Sequence, residues 1–122
     1  MKGVFYVTDH EANNELPPKT CTIDRLVTKP DDVIKVLEGK KTATRRNGRY
    51  ADAGEVMVLK DKKFVVECVY SQSLGELTNE DARREGYETA EAYKQSILSY
   101  HPGMTWLPKM RVWVHEFSPV NE

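Results

Sequence analysis

The amino-acid sequence predicts an α+β domain in which helices interrupt a mainly antiparallel sheet, bent strongly enough to make a small barrel. Three observations predict it. Two valine-rich runs, EVMVLK and FVVECVY, flank the short polar connection Asp61-Lys62-Lys63, a hairpin signal. The tail KMRVWVHEF alternates Met110, Val112 and Val114 against Arg111, Trp113 and His115, the period of a half-buried strand. Helical segments fall between these pieces without a repeating strand-helix-strand order, which leaves a small bent sheet or barrel as the architecture.

Taken in order, the chain opens on GVFYVT, a short apolar run read as a strand, and continues through DHEANNELPPKT, polar and proline-bearing, read as a loop. Residues 1–22 are therefore taken as a strand and loop extension, 23–118 as the domain and 119–122 as a tail. IDRLVT, residues 23–28, reads as a strand. Lys29-Pro30-Asp31-Asp32 starts a helix, with proline near the first turn and acids facing the positive end of the helix dipole. Val33, Ile34, Val36 and Leu37 share its expected buried face, and Gly39 is its stop. After the hairpin, Thr78 caps a second helix, with Asp81 completing a capping box and Gly86 ending it. A third helix from about Thr89 sets Tyr93, Ile97 and Tyr100 on one stripe, and Pro102-Gly103 closes it.

Composition narrows the function classes. The chain has 122 residues, 39% hydrophobic and 30% charged, with a formal charge of −1. That suits one domain with one core. No apolar run is long enough to span a membrane. GVFYVT is too short, and lacks the small-residue cleavage site, to read as a signal peptide, so a cytoplasmic protein is expected. Cys21 and Cys68 form no CxxC pair, and His10, His101 and His115 belong to no metal-binding pattern. Reduced thiols, ordinary surface or turn histidines, and no metal or organic cofactor are the expectations. A near-neutral pI of 6.3 gives no global footprint for nucleic acid.

Positive charge is instead local. KKTATRRNGR, residues 40–49, holds five basic side chains and no acid. Three readings fit it: a solvated loop, a patch that tracks phosphates, or a catalytic site in which a lysine amine activates a threonine hydroxyl. The catalytic reading demands a bend. In a continuous strand Lys41 and Thr44 would face opposite sides, whereas a turn would bring them together. It also demands a neutral lysine, which at pH 7 costs roughly 4 to 5 kcal/mol from an unperturbed value of ~10.4. Crowding by Lys40, Arg45 and Arg46 would reduce that cost, and the same charge would stabilise an oxyanion. Glu85 is the candidate to orient the base. It lies at the unfavourable end of the second helix dipole and at i+4 from Asp81, so local helix chemistry does not explain it, although an exposed acid beside Arg83 and Arg84 would also fit.

VLEGKKTATRR, an amphipathic helix followed by G-x-K-T-x-T-x-R, resembles the signature of the ASCH domain, an RNA-associated relative of the PUA-like β-barrels. LTNEDARREGY, YHPGM and VWVHEF resemble the later parts of the same family, so the likeness runs from Ile23 to Phe117. Within it the sequence is most similar to the small bacterial N4-acetylcytidine amidohydrolases. That resemblance implies Lys41, Thr44 and Glu85 as catalytic residues, with Thr44 attacking the acetyl carbonyl, Lys41 moving the proton and Glu85 positioning Lys41. It implies Arg46 at the substrate; apart from the resemblance, Thr42 and Arg45 of the same stretch are taken as substrate-binding candidates, and Tyr50 and Trp106 as aromatic candidates to stack on the base. The expected partner is a small nucleoside or RNA. Other ASCH proteins are thought to bind or cleave RNA, so an RNA-binding module or ribonuclease using the same basic cleft is the alternative. The chain departs from the amidohydrolases in its N-terminal extension, in the segment MTWLPK, in Ala43 between the threonines, and in Arg45 where they usually carry an apolar residue.

Overall fold

The two valine-rich runs pair as expected, and their turn explains why so tightly. In the computed structural model, which describes residues 16–121, strand β2 (Val56–Leu59) and strand β3 (Lys62–Ser73) form an antiparallel hairpin with Leu59 opposite Lys62. Lys60 and Asp61 both take positive φ, 49° and 70°. That is the type I′ conformation, whose twist matches the flanking strands. The opening run GVFYVT, His10 and the larger part of the N-terminal extension lie outside the described residues.

Strand β1 (Ala43–Arg46) and strand β4 (Arg111–Pro119) complete a four-stranded antiparallel sheet in the order β1-β4-β3-β2. Along β3 and β4 the register passes from Val66 opposite Phe117 to Cys68 opposite Glu116, leaving Glu67 as the extra residue of a bulge. A bulge bends the strand that carries it, and here the sheet curls into a half-barrel. β4 was expected to be buried on one face. It is buried on both, with Val112 and Val114 on one side and His115 and Phe117 on the other, because the core cluster covers Phe117 while residues from the third helix onward lie on the side of Val112. Leu26, Val27, Val36, Met57, Phe64 and Phe117 make a core cluster, with the Phe64 and Phe117 rings edge to face at 6.4 Å.

IDRLVT is not a strand. Ile23–Arg25 forms a 3-10 turn, and the consecutive residues Leu26 and Val27 are both buried. A strand would have sent them to opposite faces. The tight turn drives both into the core, and the Leu26 carbonyl accepts from Arg46 rather than from a neighbouring strand.

Helix α1 (Pro30–Leu37) begins at the predicted proline, but its buried stripe is narrower than the sequence suggests. Val36 is buried and Val33 packs beside it, while Ile34 and Leu37 remain 50% and 38% exposed. The helix ends in a Schellman motif. Gly39, at φ +80°, donates to the Val36 carbonyl and Lys40 to the Lys35 carbonyl.

Helix α2 (Asn79–Arg84) has the predicted capping box. The Thr78 backbone N–H donates to Asp81 at 2.9 Å and the Asp81 N–H to the Thr78 hydroxyl at 3.1 Å. It ends in a second Schellman motif, with Glu85 as the cap, Gly86 at φ +94°, and Tyr87 donating to the Ala82 carbonyl. Helix α3 (Ala90–Tyr100) starts at Thr89, whose hydroxyl accepts from Ala92, and stops before Pro102. Its Tyr93 is buried, and Tyr100 is half exposed.

A candidate active site between two helix ends

Lys41 and Glu85 come from chain segments 44 residues apart, and backbone hydrogen bonds bring them together. The Schellman turn after α1 returns the chain so that the Lys41 N–H also donates to the Lys35 carbonyl. One residue on, the Thr42 N–H donates to the carbonyl of Arg84 at 2.7 Å, filling one of the carbonyls a helix end leaves open. The Thr42 carbonyl then accepts from Phe117 of β4. Lys41 is thereby clamped beside the cap of α2.

Its ammonium donates to Glu85 Oε1 at 2.6 Å, and the other carboxylate oxygen accepts from Arg45 Nη1 at 2.8 Å. Glu85 is 2% exposed and Lys41 4%, which excludes a surface acid beside Arg83 and Arg84. The unexplained acid of α2 is held by a buried ion pair. Asp81, one turn earlier, joins the same network through Arg45 at 3.7 Å and Arg84 at 3.1 Å, and Gln72 accepts from Arg45 Nε and Nη2. Burial works to raise the Asp81 carboxyl, but hydrogen bonds from Thr78 and the charge of Arg45 outweigh it and hold the group below its ordinary value.

A turn at 41 to 44 does not form: the chain turns at Gly39 and Lys40, and Ala43 and Thr44 already belong to β1. β1 starts at Ala43, so Lys41 precedes the strand and is not bound by its alternation. Lys41, Thr44 and Glu85 all line one small chamber of about 110 Å³. Thr44 is buried, and its hydroxyl makes no hydrogen bond among the described residues, to Lys41 or to any other group.

Beside the chamber lies a larger cleft of about 580 Å³. Arg45, Arg46, Tyr93, Ile97 and His101 line both spaces. Tyr50 and Trp106 line the cleft and are half-buried, so both aromatic candidates sit on its wall. Arg46 spends Nε and Nη2 on the Leu26 carbonyl and lies over the Tyr50 ring at 5.4 Å.

Other residues singled out from sequence sit differently. Thr42 is exposed and lines neither space, and its part is played by its backbone. The side chain of Arg45 is committed to Glu85, Gln72 and Asp81, which makes it a brace for the acid. Lys40 faces outward to Glu38 at 3.3 Å and does not crowd Lys41. The neighbour of Lys41 is the Glu85 carboxylate, and of the three cations expected to crowd the amine Arg45 and Arg46 line its chamber.

Sequence reasoning missed two groups. Tyr93 appeared only as a member of a helical stripe, and nothing local marks its position between the two spaces. His115 was taken for a surface histidine, but it is fully buried on β4, directly opposite Thr44. Its Nε2 accepts from the Tyr50 N–H at 3.0 Å, while Nδ1 has no hydrogen-bond partner among the described residues. Burial pushes its imidazole below the ordinary histidine value, against the opposing pull of the Thr44 and Trp113 backbones. Among the described residues, Cys21 and Cys68 are free and no group of side chains could hold a metal ion. No described helix is long and apolar enough to cross a membrane.

No family model matches the chain, and no curated protein matches it. Solved structures do match in fold. An ASCH domain from Lactobacillus crispatus is similar with a TM-score of 0.62 at 11% identity, covering 92% of this chain and 86% of that one. A DUF984 protein from Enterococcus faecalis is similar at 0.55 and 16%, covering 91% and 83%. A mutant form of the ASCH protein of Zymomonas mobilis is similar at 0.54 and 13%, covering 77% and 71%. The chain has the ASCH-domain fold, as its sequence led us to expect.

Proposed function

We propose, on the premise of that fold, that the chain is an amidohydrolase that removes the acetyl group from N4-acetylcytidine or a related N-acylated pyrimidine nucleoside. The observation that carries this reading is the buried Lys41–Glu85 pair sharing a chamber with the uncommitted hydroxyl of Thr44. An amine, a hydroxyl and an orienting carboxylate are the parts nucleophilic acyl transfer needs. The adjoining cleft offers Tyr50 and Trp106 as flat surfaces for the base.

This mechanism uses Lys41 as the neutral amine, with one N–H still donated to the Glu85 carboxylate so that its lone pair faces the hydroxyl. Thr44 Oγ adds to the acetyl carbonyl carbon as its proton moves to Lys41. Collapse of the adduct breaks the bond to N4, and Lys41 returns the proton to the departing amine, releasing cytidine. Water then attacks the acetyl-threonine, losing a proton to Lys41; as the second adduct collapses Lys41 returns that proton to Thr44 Oγ, and acetic acid leaves and ionises to acetate. Glu85, braced by Arg45, keeps the amine on the chamber side throughout.

The test is to incubate the protein with N4-acetylcytidine and follow cytidine. We expect turnover by the wild type and loss of nearly all of it in Lys41→Ala and in Thr44→Ala, each remaining folded. Full activity in Thr44→Ala would remove the nucleophile.

RNA binding is the second reading, supported by cations seated over aromatic rings near the same openings: Lys29 over Tyr100 at 3.6 Å and Lys94 over Trp106 at 5.7 Å. Such pairs suit phosphate and base together. Affinity for single-stranded RNA that falls steeply with salt, without nucleoside turnover, would favour it.

A further inference from the structure

We infer that the Tyr93 hydroxyl is a substrate-binding donor, directed at the carbonyl oxygen of the acyl group that Thr44 attacks. The inference rests on the amidohydrolase reading for its substrate and on the following geometry for its site.

Tyr93 is 5% exposed and lines both the chamber and the cleft, so it stands where a nucleoside in the cleft would present an acyl group to Thr44. Its hydroxyl makes no hydrogen bond among the described residues. The ring is buried while the hydroxyl keeps access to the open space it lines, so its proton is available to a group that enters there. Of the other groups shared by the two spaces, Arg45 is committed to Glu85, Gln72 and Asp81, Arg46 spends two nitrogens on Leu26, Ile97 is apolar, and His101 is exposed at the rim.

The ring is held in place. Tyr87 meets it edge to face at 5.5 Å and is itself anchored by a hydroxyl contact to Ser96 at 2.8 Å and by Lys35 over its ring at 4.1 Å. A donor fixed in advance stabilises developing negative charge without reorganising. Burial, and then the charge of Glu85, raise the phenol well above its ordinary value, so it keeps its proton and acts as a donor.

Tyr93→Phe retains the ring and removes the hydroxyl. We expect kcat on N4-acetylcytidine to fall about 100-fold, the scale seen when one oxyanion donor is lost, with KM raised about tenfold and the melting temperature not lowered. Turnover by the wild type with an equal kcat in Tyr93→Phe overturns this inference and leaves the amidohydrolase reading standing. So does a rate loss that only tracks loss of folded protein. A second measurement does not need turnover. In a Thr44→Ala background, calorimetric titration should show Tyr93→Phe weakening N4-acetylcytidine about tenfold and cytidine less than twofold. That pattern without any wild-type hydrolysis sustains the donor while the amidohydrolase reading fails. Equal weakening of both ligands, no weakening, or no binding of either overturns the donor.

Discussion

Glu85 caps α2 where the helix dipole disfavours a carboxylate, and the fold answers with Lys41 and Arg45, each on its own carboxylate oxygen. Around this cap three cations, Lys41, Arg45 and Arg84, share two acids, Glu85 and Asp81. Removing one acid leaves buried positive charge poorly answered, whereas removing Lys41 leaves two of each sign. We therefore expect Glu85→Gln to cost roughly 3 to 5 kcal/mol in urea unfolding and Lys41→Met distinctly less. Equal costs would mean the ion pair is not what holds the site. Glu85→Gln should also slow turnover sharply in the protein that remains folded. The sequence could flag Glu85 because its placement broke a local rule. It could not show that Arg45 serves the acid, because that depends on a strand and a helix end meeting across 40 residues of chain.

At the scale of elements, two glycine-terminated helices deliver the site. Each Schellman motif turns the chain sharply enough to set Lys41 just after α1 and Glu85 at the end of α2, and the Thr42 to Arg84 hydrogen bond joins the two ends. Gly39 has positive φ and open space around a would-be Cβ, so Gly39→Ala measures conformation alone. We expect it to cost about 1 to 2 kcal/mol and to reduce turnover more than that loss explains, through misplaced Lys41. At Gly86 an added Cβ would also press on Lys35 Cδ at 2.9 Å, so Gly86→Ala should be the worse of the two by thermal melt. The helix starts, these stops and the hairpin were legible because capping residues, glycine and the polar turn act locally. IDRLVT was not, since a short apolar run reads alike whether it pairs in a sheet or folds as a turn into the core. The exposed Ile34 and Leu37 were likewise hidden, because periodicity gives a face but not how much of it the neighbours cover.

For the molecule as a whole, the half-barrel and its helices followed from the order of elements, while the spaces between them did not. Nothing along the chain indicates that Tyr93 and Trp106 share a cleft, or that β4 is buried on both faces and hides His115. That histidine has a consequence for pH. Its folded value is depressed, so the unfolded chain takes up a proton first, near 6.5. Its contribution to stability is complete above that pH and is lost as pH falls through the folded value, at up to about 1.4 kcal/mol per pH unit. Asp81 is also depressed, and its contribution is lost only on further acidification below its ordinary 3.8. Melting temperature should decline from pH 7 to 5, and His115→Gln, which keeps an acceptor for Tyr50, should flatten that decline. An equal slope in both proteins would take His115 out of the explanation.

The central claim is that Lys41 and Thr44 act as one chemical unit, and non-additivity tests it directly. The measurement is the rate of cytidine release from N4-acetylcytidine by Lys41→Ala, Thr44→Ala and the double variant. We expect the double variant to be no more than about threefold slower than the slower single variant. Losses that multiply, or a Thr44→Ala variant that keeps pace with the wild type, would contradict it.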